Sequence, residues 1–259
     1  MAEKSYHARG IVLKKTKLKE TDLIVTLMRE NGQAIRAVAK GARKPSSSFS
    51  SRLEPGSVVD VLVARGRGDL HIIQEARLVA SHESSRETLE RTCVMTASLE
   101  LLARVCQPDI TVDKLYAMTC VFLDALAKAD NAQALALGAA HMLKASAFLG
   151  YRPSFDMCVV CGCPLEDAPE HAIRYLSIAE GGVVCPACQT SAFDAQIVTS
   201  SLISWMQFLL MSSFATIAHT PPDVQTTLMI YEFLKSWIKT HGAIHLKALD
   251  FVLTLGLYD

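Results

Sequence analysis

Hydrophobic and polar positions alternate through most of the first eighty residues, then give way near residue 84 to an apolar position every fourth residue. The first period is that of a half-buried strand and the second that of a helix with one buried stripe. Five strands are predicted, over residues 7–13, 22–29, 33–39, 58–64 and 70–79. Asn31-Gly32 marks a hairpin, because this dipeptide suits the positive φ of a tight turn. A charged turn over residues 14–20 is expected to join the first two strands, and Arg65-Gly66-Arg67-Gly68-Asp69 the last two. Five short strands with Gly-bearing turns fit a small closed barrel with the strand count of the OB-fold. An SH3-like barrel fits the same pattern and stays open.

Beyond residue 80 the elements are helical. Ser84-Ser85-Arg86-Glu87 has the spacing of a capping box, opening a helix with Leu89, Cys93, Ala97 and Leu101 on one stripe. Further helices are expected over residues 112–128, 131–149, 199–218, 223–240 and 244–255. Gly150 with Pro153, Pro221-Pro222, and His241-Gly242 supply the stops. Residues 195–222 contain no Asp, Glu, Lys or Arg, yet Ser, Thr and Gln interrupt them too often for a bilayer span, so a buried core helix is expected. His141, in the middle of an apolar stretch, reads as a packed core residue.

Two cysteine pairs interrupt the helices. Cys158 with Cys161, and Cys185 with Cys188, each have the C-x₂-C spacing that turns two sulfurs onto one ion. Four thiolates complete a tetrahedron suited to Zn²⁺, and closing the coordination sphere makes the ion structural. Gly162 can supply the positive φ of a tight knuckle. Cys163 is a spare thiol near enough to replace Cys161, and His171 is a weaker substitute ligand. A hairpin is expected between the pairs, over residues 173–178 and 183–184 with a turn at Glu180-Gly181-Gly182. Cys93, Cys106 and Cys120 lie among apolar residues and are expected to fill the core. The expected fold class is α+β and multidomain. An N-terminal OB-fold β-barrel spans 1–80, and an α-helical domain spans 81–259 with a four-cysteine zinc ribbon inserted at about 155–195.

Composition narrows the class. With 259 residues, 50% of them hydrophobic and 20% charged, the chain is expected to be soluble and globular, with one to two domains. Its start lacks the basic-then-apolar pattern of a secretory signal, so a cytoplasmic protein is expected, with no membrane partner. In a reducing compartment the eight cysteines suit metal and core better than disulfides.

The formal charge of zero hides an asymmetry: residues 1–80 hold 15 Lys and Arg against 8 Asp and Glu, and the remainder has the opposite excess. A basic domain beside an acidic one points to an anionic partner for the first. The candidates for contact with a phosphate backbone are Arg9, Lys14, Lys15, Lys17, Lys19, Arg36, Lys40, Arg43, Lys44, Arg52, Arg65 and Arg67, most of them expected in loops. The barrel sequence offers only Tyr6 and Phe49 as aromatic platforms, so charge rather than stacking is expected to dominate. No G-x-S-x-G, phosphate-binding glycine loop or H-E-x-x-H occurs, and no catalytic residue is expected. Two rival readings remain: a zinc-dependent hydrolase or deaminase, which needs an open coordination position and a nearby Glu, and a protein-only adaptor with a structural zinc.

Several stretches resemble one family. Gly10-Ile11-Val12-Leu13, Glu20 through Leu27, Gly32, Ala37 through Arg43 and Gly66 through Leu70 look like the N-terminal signature of the bacterial recombination mediator RecO. Gly181-Gly182-Val183-Val184-Cys185-Pro186-Ala187-Cys188 is similar to that family's zinc finger, and the order of elements covers essentially the whole chain. The resemblance implies an OB-fold followed by a helical domain. It implies binding of single- and double-stranded DNA, annealing of complementary strands and assistance in loading the RecA recombinase. The implied partners are RecR and the acidic C-terminal tail of the single-stranded DNA-binding protein, with RecA engaged indirectly, and the implied location is at the nucleoid. Where many relatives continue with basic residues after Lys44, this chain has Pro45 and a run of serines, so its loop is expected to hold DNA less strongly.

Overall fold

Strand β1 (Ser5–Leu18) is twice the predicted length. Residues 5–11 pair with β4 (Val58–Ala64) and residues 10–18 with β2 (Asp22–Arg29), the register to β2 shifting between Val12 and Lys14. The charged turn expected over 14–20 therefore shrinks to residues 19–21. Lys14 and Lys17 are exposed on the strand itself, since its solvent face accepts the lysines that suggested a turn. Lys14, Lys15 and Lys17 are thus strand residues, and Lys19 alone of the four lies in the turn. These facts come from a computed structural model describing residues 5–66, 68–165 and 169–255.

With β3 (Ala34–Ala39) and β5 (Leu70–Ala80), the strands close in the order β1-β2-β3-β5-β4. Only β3 and β5 pair in parallel. Paired positions lead from Ser5 through Ala64, Ile72, Val38 and Ile24 back to Thr16 of β1, the stagger that a closed barrel requires. The result is a five-stranded OB-like barrel. Val12, Val25, Leu27, Ala37, Val61 and Val63 fill its interior, while alternate residues face outward.

Two helices, α1 (Leu89–Val105) and α2 (Asp113–Leu126), belong to the same compact unit, which ends at Lys128. The expected capping box does not form. Residues Glu83–Arg86 make a 3₁₀ turn, and the buried Ser85 hydroxyl donates to the Leu123 carbonyl. Thr88 caps α1 instead, accepting from the Arg91 N–H.

The second unit begins at Ala129. Its axis is α3 (Asn131–Phe148), which packs against α4 (Ser200–Met211), α5 (Phe214–His219) and α6 (Val224–Gly242). Small residues such as Ala136, Ala139 and Ala140 let these neighbours approach, and α3 is buried nearly all round, as suits a central helix. A capping box between Asp130 and Gln133 opens it. His141 is fully buried, and desolvation pushes its pKa down to about 3, so the ring is neutral. The single helix expected over 199–218 is two, because Ser213 caps α5 through the Thr216 N–H. Lys144 spans the break, its Nζ donating to the Leu210 and Ser212 carbonyls at 2.7 and 2.8 Å.

Helix α7 (Lys247–Leu255) follows. The ribbon between α3 and α4 is a small sheet of β6 (Ile173–Ser177), β7 (Gly182–Val184) and β8 (Gln196–Thr199) in the order β7-β6-β8. Among the described residues, no helix is long and apolar enough to cross a membrane.

Candidate metal centre and nucleic-acid interface

In the ribbon, a loop before β6 presents Cys158 and Cys161, and the 3₁₀ turn after β7 presents Cys188 next to Cys185. The four sulfurs lie within 4.8 Å of one another, with Cys161 and Cys185 3.8 Å apart, and the cluster could hold a metal ion. Gly162 takes φ 73°, and its N–H donates to the Cys158 carbonyl, closing the first knuckle. Burial opposes ionisation of Cys158, but N–H groups directed at its sulfur, that of Cys185 foremost at 3.3 Å, bring its pKa down to about 6. Cys163 stands beside the four, and hydrogen bonding to Cys161 pushes its thiol up to about 12. His171 is exposed and outside the cluster.

The ribbon is also fastened to the helices. Trp237 Nε1 donates to the Tyr151 carbonyl at 3.0 Å, and His241 Nε2 lies 2.8 Å from the Ile178 carbonyl. Phe155 packs against Phe233. Gly182 passes so close to Ser154 that any Cβ would collide with the Ser154 carbonyl.

On the barrel, the basic residues separate into two groups. Arg9 makes two hydrogen bonds to Asp60, at 2.7 and 3.0 Å, holding that carboxyl below its usual range. Lys15 pairs with Glu54 at 2.6 Å, Arg52 donates to the Ala76 carbonyl, and Arg43 donates to the carbonyls of Lys19 and Glu20. Lys14, Lys17, Lys19, Arg36, Lys40, Lys44 and Arg65 are exposed and take part in none of the ion pairs seen among the described residues. Arg67 lies outside the described residues.

Strand register puts Lys14 opposite Thr26, and Thr26 opposite Arg36, so the two cations flank one threonine on the outer face of β1-β2-β3. They line a groove of about 840 Å³ that continues to Tyr6, Arg29, Arg65 and His71, with Arg104 on its far wall. Asp69, Glu100 and Asp109 also line it, so the groove is basic in excess rather than throughout. A second cavity of about 810 Å³, under the serine-rich loop, mixes Arg9, Arg52 and Arg77 with Asp60 and Glu75.

Both halves of the chain match known families over their length. Residues 1–82 match the family described as Recombination protein O N terminal, and residues 86–250 match Recombination protein O C terminal. The chain belongs to the RecO family. A DNA repair protein RecO from Bifidobacterium longum is 32% identical over 236 residues, covering 90% of this chain and 92% of its own. One from Frankia casuarinae is 35% identical over 190 residues, 71% of this chain and 73% of that one. One from Caldanaerobacter subterraneus is 26% identical over 247 residues, 95% and 97% of the two chains. Membership places the chain among proteins of DNA repair and recombination.

Sequence reasoning missed Arg29, His71 and Arg104 as groove residues. Arg29 ends a strand whose inward positions are otherwise apolar, and that break in the alternation is the signal that marks it. No comparable signal marks His71 or Arg104, which reach the groove only through closure of the barrel and the placement of α1.

Proposed function

We propose that the protein binds single- and double-stranded DNA along the groove over β1, β2 and β3, anneals complementary strands and helps load a recombinase during recombinational repair. The observation that supports this most is the row in which the exposed Lys14 and Arg36 flank Thr26 and lead toward Arg65. An OB-type barrel offers nucleic acid this strand face and the loop between its last two strands. Two strands held on a cationic surface repel each other less, and complementary pairing is reached sooner. The partners proposed are RecR and the acidic tail of the single-stranded DNA-binding protein, with RecA engaged indirectly, in the cytoplasm at the nucleoid.

The ion proposed for the ribbon is Zn²⁺, held by Cys158, Cys161, Cys185 and Cys188. A tetrahedron with Zn–S bonds of about 2.3 Å has sulfur–sulfur edges of about 3.8 Å, the separation seen between Cys161 and Cys185. Four thiolates leave no position for a reacting water, so the ion would supply only cohesion.

Fluorescence annealing of complementary oligonucleotides, without nucleotide and over a salt series, tests the proposal. Faster annealing is expected. With about five phosphates neutralised, the log–log salt slope of single-strand affinity should be near −3 to −4. A flat slope, or no acceleration with or without the strand-coating protein, overturns it.

A further inference from the structure

Tyr6 pairs with the inward Val63 and packs against the barrel core, and His71 pairs with the inward Ala37. Arg29 and Arg65 follow the inward Leu27 and Val63 by one alternation. Tyr6 and His71 thus sit level with the outermost core residues and Arg29 and Arg65 one step beyond, and the four meet at one rim of the barrel. There the guanidiniums of Arg29 and Arg65 each lie 5.9 Å from the Tyr6 ring centroid, and the His71 ring stands at 89° to it, 5.8 Å away. Tyr6 is half-buried, and its ring lines the groove that carries Lys14 and Arg36.

We propose that this rim is a slot for one unpaired nucleobase, stacked on Tyr6, within the groove that takes the backbone. It rests on the nucleic-acid reading above and adds to it a residue that contacts a base. Only an unpaired base has a free face, since bases within a duplex are covered above and below by their neighbours. An aromatic ring with planar guanidiniums beside it is the surface such a face prefers. A separation of 5.9 Å is near the outer limit of a cation–π contact, about 6 Å. Arg65, exposed, is therefore loosely held and can turn to a phosphate as a base takes its place, while Arg29 also donates to Gln33 Oε1 at 3.4 Å and stays at the rim. Phe49, the other aromatic residue of the barrel sequence, packs against the core and lines the mixed-charge cavity instead. The groove thus offers one such slot, and single strands gain a contact that duplexes lack.

The test uses three ligands of equal length: a thymidine oligonucleotide, the same backbone without bases, and a duplex. The wild-type protein should bind the abasic strand about tenfold more weakly than the thymidine strand. Tyr6→Leu should weaken thymidine binding by a similar factor and leave duplex binding within about twofold, and Tyr6→Phe should restore it. A 2-aminopurine carried along the strand should be quenched by wild type and not by Tyr6→Leu. Equal wild-type affinity for abasic and base-bearing strands overturns the slot, as does an equal loss of single-strand and duplex binding in Tyr6→Leu. Should Tyr6→Leu fail to fold, the abasic comparison on wild type decides alone. A salt-dependent affinity that ignores the bases would leave the nucleic-acid reading standing and remove only the slot. No binding to any of the three removes both.

Discussion

The carboxylate of Asp22 accepts a hydrogen bond from the backbone N–H of Gly41 at 2.8 Å, fastening the first residue of β2 to the turn after β3. Arg43 completes the fastening by donating to the carbonyls of Lys19 and Glu20 at 3.1 and 2.7 Å. The Lys40-Gly41-Ala42-Arg43 stretch, read from sequence as a contact for phosphates, thus also buckles two loops together. The Gly41 N–H holds the Asp22 carboxyl below the usual carboxylate range, with the Thr21 hydroxyl adding to it.

Asp22→Ala should therefore lower the melting temperature at pH 7. A carboxylate with a depressed folded pKa stabilises the fold above its unfolded pKa, near 4, and loses that contribution as pH falls through the folded value. The gap between wild type and variant should begin to narrow in melts run below about pH 4 and go on closing as pH falls further. A gap that persists unchanged at pH 3 would assign the effect to something other than the charged hydrogen bond.

Basic residues on one barrel should not be equivalent. Replacing Lys14 or Arg36 by Ala is expected to reduce the magnitude of the single-strand salt slope by about 0.7 each and to weaken binding evenly across sequences. Arg9→Ala removes a cation already neutralised by Asp60 and should leave the slope where it was. Titrations of the three variants at several salt concentrations check this, and an Arg9 effect as large as that of Lys14 would contradict it.

Lys144 closes the end of α4 with an ammonium that burial pushes down to a pKa of about 8. Lys144→Met keeps much of the volume but strands two carbonyls, at a cost of about 1–3 kcal/mol. Urea unfolding at pH 7 would show the loss, and an unchanged midpoint would mean that water serves those carbonyls equally well.

Metal analysis of the purified protein should find one zinc per chain. A chelator strong enough to remove it, or Cys185→Ser, should lower stability or solubility while the folded fraction still binds oligonucleotides. A Cys185→Ser protein that melts like wild type but no longer binds would make the ribbon a contact surface rather than a staple.

Much of this architecture is legible in the chain before folding. The strands show because Val25, Leu27, Val61 and Val63 alternate with outward residues, and the cysteine cluster because C-x₂-C spacing is local. What escapes is set by contacts distant in sequence. The second half of β1 looks like a turn until β2 is there to pair with it. β8 hides in a charge-free stretch, because a ribbon edge such as Ile197 and a buried helix use the same residue types. The break at Ser213 is capped locally, but the carbonyls it frees at Leu210 and Ser212 find their donor in Lys144, far upstream. Arg29 leaves a local mark, but that Tyr6, Arg29, Arg65 and His71 meet at one rim is invisible in sequence, since only closure of the barrel gathers positions so far apart.

Helix α3 is buried nearly all round, and the helices that cover it are encoded after the ribbon. A nascent chain must therefore carry that sticky rod uncovered through some eighty residues of further synthesis, down to the buried Tyr231 whose hydroxyl reaches back to Leu135. Truncation ahead of α6 should consequently yield an aggregating species rather than a smaller folded domain, because α3 would then emerge with part of its cover permanently missing.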